Sequence, residues 1–123
     1  MRLPLIPGLL SLALLATACN KTTASAPAPL RQEEIPAAVQ VAFGGADDEV
    51  KSASQSYVEA VKEQDAAGAF EKMKQLSARQ DLSPAQRQVA ARAMITSAQQ
   101  LRAAAQSGDA RAEAVLRNYM ATR

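Results

Sequence analysis

The chain has 123 residues and a formal net charge of +2, from 14 basic and 12 acidic side chains. That length bounds it to one small domain, and the near-balance of charge leaves no electrostatic footprint for nucleic acid. Apolar residues make up 48% but aromatics only 3%, and much of the rest is alanine, the best helix former and a poor strand former, so composition points to an all-α fold. The lack of histidine and the single cysteine exclude the usual general base, the commonest metal ligand, an intramolecular disulfide and a cysteine zinc site.

In chain order, the first element reads as a targeting segment. Met1 and Arg2 form a short positive region, and the apolar run Leu3 to Ala16 follows, broken by Pro4 and Pro7. A membrane span needs roughly 20 apolar residues, so a cleaved signal over residues 1–18 is the better reading. Small residues then lead into the cysteine: Ala16, Thr17, Ala18, Cys19. This stretch, "LATAC", resembles the lipobox of bacterial lipoproteins, with Ala16 standing where leucine is most frequent. The resemblance covers about 20 residues and implies three things. Cys19 receives a diacylglyceryl thioether, signal peptidase cuts before it, and the new amine is often acylated, with palmitate the expected acyl group. Asn20 follows the cysteine. The resemblance takes an aspartate there as an inner-membrane signal, so its absence implies the outer membrane, facing the periplasm.

Residues 19–46 read as the lipidated N-terminus and a tether. "NKTTASAPAPL", Asn20 to Leu30, has no periodicity and little to bury. As a flexible coil the whole segment spans roughly 30 Å, and about 90 Å fully extended. Within it, Pro36 can open a short helix on which Ile35, Val39 and Phe43 share a face. An extended "VQVAF" is the alternative, and in either form the segment is expected to dock loosely, with Gly44-Gly45 marking the boundary.

Helical period is readable over residues 47–123. The first helix places Val50, Ala53, Tyr57, Ala60, Val61 and Gln64 on one face, after acidic residues Asp47 to Glu49 that suit a helix N-terminus. Asp65 caps the second, whose apolar face is Ala66, Ala69, Phe70, Met73 and Leu76. Ser83, Pro84 and Gln86 spell a capping box for a long third helix to about Gln106. Its broad apolar sector, Val89 to Ala105, suggests more than one neighbour. Gly108 and Asp109 then end that helix and start a fourth, carrying Ala112, Val115, Leu116, Tyr119 and Met120. The expectation is two helical hairpins, about four helices. "QDAAGAFEKM" and "GDARAEAVLR" occupy like places, 44 residues apart. The arrangement loosely resembles tetratricopeptide hairpins, although the period differs from 34.

Chemistry is sparse. Glu59, Glu63, Asp65 and Glu71 are the candidate paired carboxylates, and they read as a solvated helix face, since two-carboxylate hydrolysis needs both groups in a cleft. Ser52, Ser54 and Ser56 have no base partner in the sequence, and "FGGA" lacks the lysine and hydroxyl of a phosphate loop. Residues 47–75 carry seven acids against four lysines, net −3, and residues 76–123 seven arginines against three acids, net +4. The two hairpins can attract one another, or the arginines can face an anionic surface. Met94, Leu101, Tyr119 and Met120 are the residues expected to form a partner face.

The functional expectation is a non-catalytic lipoprotein of the bacterial envelope, without cofactor, metal or nucleic acid. It is held to the membrane through Cys19 and acts as an interaction or structural module on an envelope protein partner. The alternative is a small helical protein that binds a ligand or lipid. An exposed apolar groove would mark the first, and an enclosed apolar cavity the second.

Overall fold

The computed structural model describes residues 26–123. The chain is all-α: a 3-10 turn over Gln32–Glu34 leads into α1 (Ile35–Phe43), α2 (Asp48–Lys62), α3 (Ala66–Ser77), α4 (Pro84–Gln106) and α5 (Ala110–Ala121), with no strand among the described residues. Consecutive helices from α2 to α5 pack in order, α3 also reaches α5, and α1 packs on α2 and α4.

The helix ends follow the side chains that satisfy their free amides. Ser83 Oγ accepts from the Gln86 N–H at 3.1 Å, and Gln86 Oε1 accepts from the Ser83 N–H at 2.9 Å, with Pro84 in the first turn. The capping box expected from the sequence is therefore formed. Gln86 also donates to the Ala42 carbonyl at 3.2 Å, fixing the start of α4 to the end of α1. Asp65 accepts from the Gly68 N–H at 2.9 Å and Asp109 from the Ala112 N–H at 3.0 Å. A Cβ at Gly68 would meet the Asp65 carboxylate, so a side chain there would make the cap shift. Gly108 turns at φ +92°, a conformation glycine adopts without penalty. Gln64, expected on the α2 face, instead makes the tight turn before α3 at φ +58°.

Two apolar clusters form the core. The larger joins α1, α2, α3 and the first half of α4 around Ile35, Phe43, Tyr57, Met73 and Leu76. The smaller joins α3, α4 and α5 around Ala67, Phe70, Leu101 and Ala112. Met94 packs against both. Between the hairpins the buried Tyr57 hydroxyl pairs with Ser97 Oγ at 3.0 Å.

The expected boundary at residue 47 requires correction. The folded part begins by Leu30, which is buried, as are Ile35, Val39 and Phe43. The apolar face foreseen for this segment exists as α1, but it is sealed into the core rather than loosely docked. Thr96 Oγ1 donates to the Leu30 carbonyl, and Arg92 Nε donates to the Ala28 carbonyl at 2.9 Å. Among the described residues there are accordingly five α-helices, the four expected over residues 47–123 and α1 ahead of them.

Candidate functional site

Among the described residues a largely apolar groove of about 600 Å³ runs along α4. Ala91, Met94, Ile95 and Ala98 supply its floor from α4, Tyr119 closes it from α5, and Leu82 and Pro27 complete the wall. It follows from how α4 is shared. Ala93 and Leu101 are fully buried against neighbouring helices, whereas Met94, Ile95 and Ala98 are only half-buried. A helix with so broad an apolar sector covers two cores and leaves a third strip open.

Tyr119 is positioned from both sides. Its ring meets Phe70 of α3 edge to face, with centroids 5.1 Å apart at 77°, a favoured aromatic geometry. The Arg123 guanidinium lies over the same ring, 5.4 Å from its centroid. Among the described residues Arg87 is the one charged side chain lining the groove, and no carboxylate lines it.

The four residues expected to form a partner face divide. Met94 and Tyr119 do meet in the groove. Leu101 is fully buried in the smaller cluster, so it supports the face from beneath and is not part of it. Met120, 56% exposed, points to the other side of α5, into a shallower depression of about 380 Å³ with Leu116, Ala105, Arg102 and Glu113. Adjacent helix positions are about 100° apart, which separates Tyr119 from Met120. Ile95, Leu82, Arg87 and Pro27 were not foreseen. The breadth of the α4 pattern was the available signal for Ile95, and nothing local in the sequence marks Pro27.

The carboxylates do other work. Asp65 combines the α3 cap with an ion pair to Arg111 at 3.1 Å, and Arg111 also approaches Glu71 at 3.9 Å. The Gly68 N–H bond, then Arg111, hold the Asp65 carboxyl below its ordinary value, against some opposing desolvation. Glu59 and Glu63 are exposed, and Glu59 lies 3.9 Å from Lys62. Ser54 donates to the Lys51 carbonyl at 2.7 Å, while Ser52 and Ser56 are exposed. Among the described residues no cluster of three or more histidine, cysteine, aspartate or glutamate side chains is arranged to hold a metal, and no helix is long and apolar enough to cross a membrane.

Cys19, the expected lipidation site, lies outside the described residues, as does the whole signal segment. No family model, curated protein or solved structure matches this chain.

Proposed function

We propose that this protein is a lipid-anchored, non-catalytic interaction module of the bacterial envelope, attached through Cys19 and working through the apolar groove on α4. The lone cysteine in a lipobox-like setting supports the anchor. The observation that carries the interaction role is the groove itself: it is apolar, open along the surface and lined on one edge by Pro27. An open groove suits a macromolecular surface, where an enclosed cavity would suit a small ligand.

The early start of the fold sharpens the mechanism. Pro27 is the eighth residue after Cys19. A segment of that length reaches about 28 Å fully extended and roughly 16 Å as a flexible coil. Anchored acyl chains would thus confine the groove to a thin layer above the bilayer, at high local concentration toward anything in that layer. Several chains are needed for such attachment, since one gives only marginal binding. The test is labelling of growing cells with an alkyne-bearing palmitate, comparing wild type with Cys19→Ser. Label on the wild-type chain and none on the variant is the expected outcome. Equal label on both, or none on either, contradicts the anchor.

A further inference from the structure

The groove carries charge as well as apolar surface, and the charge is of one sign. Arg87 lines it, and Arg123 stacks on its tyrosine. Among the described residues neither makes an ion pair. Arg79 differs: Glu49 and Asp81 hold it at 3.0 and 2.8 Å. Arg111 is likewise taken up by Asp65 and Glu71. The arginines at the groove therefore keep an unneutralised charge beside half-buried apolar side chains, and their complement is an anionic, amphiphilic surface.

From this placement we infer that the α4–α5 face docks on the anionic phospholipid of the membrane that carries the anchor. Met94, Ile95 and Tyr119 then sit at the boundary of headgroup and acyl chain, and Arg87 and Arg123 meet lipid phosphates. The inference rests on Cys19 being the anchor. Pro27 on the groove edge keeps that edge within about 28 Å of the attachment point, so docking is an intramolecular step that weak contacts can drive. Each arginine near an anionic leaflet shifts the docked population by about fivefold. Tyrosine suits such a boundary, with an apolar ring and a polar tip. An acyl chain of the anchor itself is a poor occupant, because each methylene drawn out of the bilayer costs about fourfold in population, and an open groove returns only part of that.

The test uses the purified lipidated chain reconstituted into phosphatidylglycerol vesicles and, separately, phosphatidylcholine vesicles, read by amide hydrogen exchange. Amides of α5 and of the Ala91–Ala98 turns of α4 are expected to exchange about fivefold or more slowly on phosphatidylglycerol than on phosphatidylcholine. Arg87→Glu is expected to abolish the difference, and Ile95→Asn to reduce it. High salt, which screens exposed charge, is expected to remove it from the wild type without any substitution, so an unfolded variant does not decide the matter. The mass of the same sample is read first. An unmodified Cys19 overturns the anchor and the docking together. An acylated chain with equal exchange on both vesicles overturns the docking alone. Protection seen on neither vesicle but gained with an acidic amphipathic peptide overturns it in favour of a protein partner.

Discussion

Asp65 shows how one side chain can join two elements. It caps α3 through Gly68 and receives Arg111 from α5. Asp65→Ala is expected to lower stability by about 0.5–2 kcal/mol, the usual loss for an N-cap, measured by urea unfolding. Asp65→Asn keeps an acceptor for the cap and is expected to cost less. Its pH dependence has a defined sign. The carboxyl is depressed in the folded chain, so the folded state holds it deprotonated more firmly than the unfolded chain does. The stabilisation is present in full above the ordinary aspartate range and is lost as pH falls through the depressed value. Asp65→Asn should therefore flatten the acid limb of a stability-against-pH curve. The turn position of Asp65 was legible in the sequence, because aspartate before a helical period marks a cap. Its pairing with Arg111, 46 residues away, was not, since no local pattern encodes which distant arginine a turn will face.

At the scale of elements, α1 and α5 behave oppositely. α1 is short, yet Ile35, Val39 and Phe43 are all buried. Phe43→Ala is expected to cost about 3–5 kcal/mol, as for other large core deletions, whereas a loosely docked segment would lose almost nothing; thermal unfolding distinguishes the two. The shared face of α1 was readable from its spacing of four. Its docking site was not, because that site is made by α2 and α4, far along the chain. α5 has the opposite balance: it buries only Ala112 fully. Helices with few buried apolar contacts open at low cost, so α5 amides are expected to exchange faster than those of α2 and α3 in the unbound chain, measured by hydrogen exchange. The sequence gives α5 an apolar stripe much like that of α3. What differs is the neighbour: α3 is flanked by α2 and α4, while α5 sits at the end of the stack with one side uncovered.

For the molecule as a whole, the two hairpins are a charge-divided pair. The contrast of net −3 and net +4 between residues 47–75 and 76–123 is relieved in part by Arg111 on Asp65 and by Arg79 on Glu49. Exposed pairs of this kind contribute little to stability, so the division matters more for the proposed docking of the α4–α5 side than for the fold. The all-α class was legible from alanine content and helical period, because both act locally. The groove was only half legible. Met94 and Tyr119 could be picked as surplus apolar residues, but the loss of Leu101 to the core and of Met120 to the far side of α5 depends on how helices rotate against one another. The shortened tether was hidden for the same reason, and it changes the account most: it brings the groove from a reach of about 90 Å to about 28 Å of the proposed attachment point. The proposed confinement of the groove to a layer above the membrane depends on Cys19 carrying lipid. The most direct measurement is the intact mass of the membrane-fraction protein, wild type beside Cys19→Ser. A wild-type chain that starts at Cys19 and carries acyl mass, absent from the variant, is the expected result. A wild-type chain without acyl mass, or cut at another residue, would contradict the account.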